Sequence, residues 1–288
     1  MSQMPSTTHR TDKATLSARS SILGITLVCV FSFQYFAKFD LSISSLFVEE
    51  RRQFIYSDHP LLTSIMALFH VCILSLGGLI LTLGVWARFL TINNKVPYQI
   101  WGFVIWAYVL CNGVLVNGFL KHFWGRARPV DIKQFGGASD FTSPLVATGE
   151  CSANCLFVSA TTTAVALMCF LLFALVAWRL NNRRRMVFIS LMACLVVVVG
   201  GTRIAMGRHF LSDVVFATLL SAISVNLLFD YMKITKYRPA CTWVNIVADI
   251  GAFLRPKSWR KSSVSTAKRP KFTQHKRYDG NNPNDQQQ

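Results

Sequence analysis

Three short polar segments hold residues whose types and spacing suit phosphate chemistry. The first runs Lys121-His122-Phe123-Trp124-Gly125-Arg126-Ala127-Arg128-Pro129, and the second Phe157-Val158-Ser159-Ala160-Thr161. The third begins at Thr202-Arg203, passes Arg208-His209 and ends at Asp213. Lys121, Arg128 and Arg203 supply three fixed cations, and a guanidinium fork matches phosphate oxygens two at a time. Ser159 stands ahead of an apolar run, so the following backbone N–H groups open a helix and add donors for an anion. His209 and Asp213 are four apart and share a face if that stretch is helical. A carboxylate one turn from an imidazole holds its tautomer and stabilises the cation formed when the other nitrogen attacks. His209 is therefore the candidate nucleophile and Asp213 its orienter.

Several neighbours could join them. His122 adjoins Lys121, and Arg126 reads either as a contact to a substrate headgroup or as a surface charge. Glu150, Asp140 and His59 could reach the site from loops, against the plainer reading of solvated loop residues. His70 and Asn112 lie inside apolar stretches and read as groups that pair neighbouring helices. Cys151 and Cys155 share a loop where an oxidising compartment would permit a disulfide. No further Cys or His stands at ligand spacing from them, so no metal and no cofactor is expected.

The elements that must position these residues are membrane helices. Apolar residues make up 52% of the 288, and they come in blocks. Six blocks approach the roughly 20 residues needed to cross a bilayer: Ile22–Phe39, Leu61–Trp86, Tyr98–Leu120, Leu156–Trp178, Met186–Gly201 and Val214–Phe229. They are apolar all round, which excludes an ordinary soluble bundle with polar outer faces. The expected fold is all-α, a polytopic bundle of six transmembrane helices over residues 21–232. Residues 1–20 form a polar, disordered leader, and residues 233–288 form a basic tail. The first block lacks a clear small-x-small cleavage site, so it reads as an uncleaved helix. Asp40–Pro60 reads as an interfacial helix or a surface loop. Lys121–Asn154, with Gly136-Gly137 and Pro144, reads as partly irregular. Cys241–Leu254 is apolar but too short and too polar to span, which lays it on the surface.

Charge sets the orientation. The N-terminus, the loops after the second and fourth blocks and the tail hold 21 of the 30 basic residues and 5 of the 13 acids. The opposite face holds the remaining 9 basic and 8 acidic residues. That asymmetry is the positive-inside pattern and puts both termini in the cytoplasm, with the three polar segments outside. The basic balance thus reflects topology, and a nucleic-acid partner is discounted because the charge is spread over membrane loops. The tail could touch anionic lipid or simply be solvated.

The spacing Lys121, six residues, Arg128-Pro129; Ser159 before a span; Arg203, five residues, His209, three residues, Asp213 resembles the type 2 phosphatidic acid phosphatase superfamily. The resemblance covers roughly half the chain. It implies a metal-independent site with a phosphohistidine formed on His209, and Lys121, Arg128, Ser159 and Arg203 gripping the phosphate. Gly125-Arg126-Ala127-Arg128-Pro129 with Asp131-Ile132, Phe135-Gly136-Gly137 and Cys151…Asn154-Cys155 is similar to the branch of lipid A 4′-phosphatases. The phosphorylated lipid substrate would then be met at the periplasmic face of a bacterial inner membrane. Thr161 departs from the pattern, because the superfamily reads Pro-Ser-Gly-His across Val158, Ser159, Ala160 and Thr161 and uses that His as a proton donor. Thr cannot ionise near neutral pH. The alternatives are therefore a lipid pyrophosphate such as undecaprenyl pyrophosphate as substrate, phosphate transfer to another lipid, or a weakly active protein that only binds phosphorylated lipid.

Overall fold

The computed structural model describes residues 7–49, 53–89, 94–151 and 157–254. Those residues are helical and irregular, with no strand beyond two isolated bridges. Helix α1 (Thr7–Tyr35) is followed by a bend of 82° and a short helix α2 (Lys38–Ser45). Next come α3 (Pro60–Phe89) and α4 (Tyr98–Ala107), which runs on as a π-helical stretch (Tyr108–Leu120) and a last turn, α5 (Lys121–Phe123). After the long loop come α6 (Ala160–Val176), α7 (Asn182–Ala205) and α8 (Leu211–Tyr231), then α9 (Ile234–Tyr237) and α10 (Trp243–Leu254).

Among the described residues five helices are long and apolar enough to cross a bilayer, and α1–α2 makes a sixth if the bent pair is one span. The protein is an all-α polytopic membrane bundle. The first span ends at Tyr35 rather than Phe39, since the chain turns before Lys38. The last two spans are longer than their apolar runs, as α7 and α8 continue into polar residues at each end. Helix α1 begins at Thr7, inside the stretch expected to be disordered. The tail from 255 to 288, like Cys155, lies outside the described residues.

Helices α6 and α8 form the centre of the bundle. Small residues let their backbones approach, as expected where lipid gives no hydrophobic drive between helices: Ala164, Ala166, Ala217 and Ala222 are all buried. Ser221 Oγ, buried between the two, donates to the Ala217 carbonyl at 2.7 Å and faces the Thr163 carbonyl at 3.3 Å. Gly200 brings α7 against Val214, where an added Cβ would lie 2.5 Å from a Val214 methyl.

The two ends of the bundle differ. At one end α10 lies along the bundle with Trp243, Val244 and Leu254 exposed, the placement expected of Cys241–Leu254. Its buried Asp249 accepts from the backbone N–H groups of Lys95 and Val96 at 3.0 and 2.9 Å. Arg179 donates to the carbonyls of Cys241, Arg238 and Pro239. The other end carries α2, the loop after α5 and the turn between α7 and α8. There Phe54, Ala127, Ile132, Phe135 and Phe210 form a small apolar cap of their own.

Candidate active site

The turn between α7 and α8 holds the candidate nucleophile. Gly207 has φ of +64°, where residues with a Cβ are strained, and an added Cβ would lie 2.6 Å from both the Phe54 ring and a Val130 methyl. Its carbonyl accepts from Val130 N–H at 3.2 Å, and the N–H groups of Arg208 and His209 both return to the Arg203 carbonyl at 3.0 and 3.3 Å. These bonds fix His209 beside the last turn of α7.

Asp213 is the third residue of α8 and is fully buried. Its Oδ2 accepts from the Phe210 N–H at 2.8 Å, closing the start of the helix. Its Oδ1 accepts from Arg126 Nη1 at 2.9 Å. His209 Nδ1 stands 3.8 Å from Asp213 Oδ2, near enough for a charge–charge contact and beyond a hydrogen bond. Nδ1 is buried and makes no hydrogen bond among the described residues. Burial pushes His209 down, Asp213 pulls it back up and Arg203 and Lys121 push it down again, leaving it at about 4. The resting imidazole is thus neutral at physiological pH, the state a nucleophile requires.

Around His209 lies a cavity of about 370 Å³. Lys121 from α5, Arg128 from the loop, Arg203 from α7 and Arg208 from the turn line it, with Ala160 and Thr161 from the start of α6. The Arg203 Nε is buried without a hydrogen-bond partner among the described residues. Such a crowd of like charges is unfavourable unless an anion joins it, and three guanidinium groups with one ammonium suit a phosphate dianion. No group of three or more His, Cys, Asp or Glu side chains among the described residues could hold a metal ion.

The sequence-derived candidates thus divide. His209, Lys121, Arg128, Arg203, Ala160 and Thr161 share the cavity. Ser159 is fully buried and does not line it. Its Oγ accepts from the Thr162 N–H at 3.3 Å and the Thr162 hydroxyl at 2.9 Å, so it caps α6 and sets the helix start beside the cavity. Arg126 is neither a headgroup contact nor a surface charge. It is fully buried, pairing with Asp213 and with Asp40 at 2.9 Å each and lying over the Phe210 ring at 4.3 Å. His122 is exposed and bonded at Nδ1 to the Asn117 carbonyl at 3.0 Å, and Glu150 is exposed and accepts from the Asp140 N–H at 3.0 Å. Neither lines the cavity.

Two contributors escaped the sequence reading, and a third, His70, was read there only as a group that pairs helices. Arg208 lines the cavity as a fourth cation. Asp40 of α2 is fully buried, and its carboxylate accepts from Arg126, from the Ser212 N–H at 2.8 Å and from the Ser212 hydroxyl. Asp40 and Asp213 together satisfy backbone donors at the start of α8 and place negative charge at the positive end of its dipole. His70 of α3 also lines the cavity, its Nε2 3.1 Å from Thr161 Oγ1. A titratable side chain inside an apolar span was the available signal.

An all-helical membrane bundle thus gathers a neutral histidine and four cations in one cavity, and residues 102–236 match the PAP2 superfamily. The chain's curated relatives include lipid A 4′-phosphatases. It is 37% identical over 117 residues to the lipid A 4′-phosphatase of Francisella tularensis subsp. novicida, covering 39% of this chain and 49% of that one. It is 35% identical over 105 residues to the lipid A 4′-phosphatase of Rhizobium leguminosarum, covering 36% and 42%. The chain therefore matches less than half the length of these curated relatives. No solved structure matches it.

Proposed function

We propose that this protein is a lipid phosphatase at the periplasmic face of a bacterial inner membrane, with lipid A as its substrate and the 4′-phosphate as the group removed. The cavity carries this reading, since it puts a neutral histidine within a ring of cations and little else that is reactive. Neutral His209 attacks phosphorus through Nε2, giving a phosphohistidine and a leaving oxygen. Lys121, Arg128, Arg203 and Arg208 spread over the non-bridging oxygens and stabilise the transition-state charge. Asp213 stabilises the imidazolium and keeps Nδ1 turned away from the phosphate. Water then attacks the phosphohistidine and releases phosphate.

Other observations support the location. Exposed Leu74 on α3 lines the cavity, so its rim reaches the surface that acyl chains would cover. Cys151 is disulfide-bonded, which suits an oxidising compartment. The basic residues Arg88, Arg179 and Arg183–Arg185 lie toward the opposite end, as the positive-inside rule asks of a cytoplasmic face. Thr161 in the cavity wall favours a second reading, a lipid pyrophosphate substrate, because a departing phosphate needs little protonation. A binding protein without turnover would keep the same ring of cations.

Phosphate release from purified protein, with mass spectrometry of the lipid product, tests this. Release from lipid A should leave the 1-phosphate in place, vanish in His209→Ala and survive EDTA. Turnover of a lipid pyrophosphate but not lipid A would select the second reading. Release that persists in His209→Ala would remove the nucleophile, and a rate restored by Mg²⁺ after EDTA would overturn the metal-free chemistry.

A further inference from the structure

Expelling a sugar or other alcohol from phosphorus produces an alkoxide unless a proton arrives as the P–O bond breaks. On the phosphatase reading above, the donor belongs among the groups lining the cavity. Arg128, Arg203 and Arg208 keep their protons near neutrality. Lys121 serves as a fixed cation, His209 is occupied as nucleophile, and Asn112 and Asn117 do not ionise. His70, with the Thr161 hydroxyl beside it, is the lining group not already assigned to gripping the phosphate or to attack.

Its surroundings suit that role. Nδ1 lies 2.7 Å from the Met66 carbonyl, one turn back on α3, and an oxygen there requires a hydrogen on the nitrogen. Nε2 is therefore the nitrogen that gains and loses a proton, and it faces Thr161 Oγ1 at 3.1 Å. Thr161 is buried at the first turn of α6, directly beside the Ser159 cap. His70 is exposed rather than packed, ten residues inside α3. An imidazole in that setting is costly to a membrane protein unless it faces a polar space and has a task there.

We propose that His70 and Thr161 form a proton relay to the leaving oxygen. Protonated His70 passes its Nε2 proton to Thr161 Oγ while Thr161 gives its own hydroxyl proton to the departing oxygen. The P–O bond breaks as the bond from His209 Nε2 to phosphorus forms, and the alcohol leaves neutral. In the second half-reaction water attacks phosphorus, the P–N bond breaks, and the water's proton returns through Thr161 to His70. Thr161 is the catalytic residue of the pair, and His70 is the positioning residue that holds the proton behind it. The acid thus comes from α3, outside residues 102–236 that match the superfamily.

Two phosphate esters with opposite leaving groups test this on the purified full-length protein. Decyl phosphate must expel an alkoxide, whereas 4-nitrophenyl phosphate expels a weakly basic phenolate that needs no proton. His70→Gln and Thr161→Val should each lower kcat on decyl phosphate by about 10²–10⁴-fold with little change in KM. Both should hardly change the first-turnover release of nitrophenolate, a step that precedes the attack of water, and that release also shows that the variants are folded. Thr161→Ser keeps the hydroxyl and should retain turnover on both. Equal losses in first-turnover release from the two esters in His70→Gln, or no loss on decyl phosphate, would overturn the relay and leave the phosphatase reading standing. Native-like turnover of the nitrophenyl ester by His209→Ala would instead remove that reading, and the relay with it.

Discussion

Residues 102–236 and the helices before them differ in how they are held and in what they lend to the site. In the first region α6 buries ten of its residues and α8 eight, and nearly every group that would touch phosphate rides on or beside them. In the second, the longer α3 buries five, yet it delivers His70, while α2 delivers Asp40. The well-packed region holds His209, the proposed nucleophile, and the cations. The loosely packed region completes the buried charge balance and carries His70 of the proposed relay. A rigid half that grips and a peripheral half that assists is a division of labour that can be broken experimentally at its joints.

The strongest joint is the buried group Asp40–Arg126–Asp213, with all three side chains fully buried. Arg126→Met would leave two carboxylates facing each other without a cation. Removing one partner of a buried ion pair costs about 3–5 kcal/mol, so this variant should lose its folded, monodisperse form on size exclusion. Asp40→Asn keeps hydrogen-bonding atoms and Asp213's own partner, and should fold with a lowered melting temperature. A native melting temperature in Asp40→Asn would show that the early helices are not coupled to the site through α2.

The next effect belongs to the rigid half and depends on pH. Folded His209 titrates at about 4 and the unfolded chain's histidine near 6.5. Between those values the unfolded state binds the extra proton, so stability is complete above about pH 6.5 and is lost as pH falls through 4. The full swing is on the order of 3 kcal/mol. Side-chain nitrogen NMR, assigned by difference with His209→Gln, should place the midpoint near 4. A midpoint near 6.5 would mean that burial and the neighbouring cations do not govern this ring.

The smallest effect separates capping from gripping at Ser159. As a cap, Ser159→Ala should cost about 1 kcal/mol of stability and change KM little. A large rise in KM at unchanged stability would instead give Ser159 a direct hold on the phosphate.

The same divide explains what could be read from the chain. The spans, the long loop and the surface placement of α10 follow from blocks of apolar residues, a signal that needs no partner. Lys121, Arg128, Arg203 and His209 were legible because each lies within a few residues of another site group, so the spacing itself carries the geometry. Asp40 meets Ser212 across 172 positions and His70 meets Thr161 across 91. No local pattern encodes such a meeting. Arg126 was misread for the same reason, since the partners that make its burial tolerable, Asp40 and Asp213, lie 86 and 87 positions away. The π-helical winding from Tyr108 to Leu120 was also invisible, because its apolar run fits any helical period.

Asp40 carries a further consequence, one of timing. Its partners Arg126 and Ser212 are made 86 and 172 residues later. At a synthesis rate of about 5–20 residues per second, the second interval lasts roughly ten to thirty seconds. Throughout it a carboxylate destined for complete burial waits in a chain whose neighbouring helices have already been threaded into lipid. The α2 segment must therefore remain in water, or in the care of the insertion machinery, until α8 begins. The active site closes last, when the earliest charge in its network meets the latest.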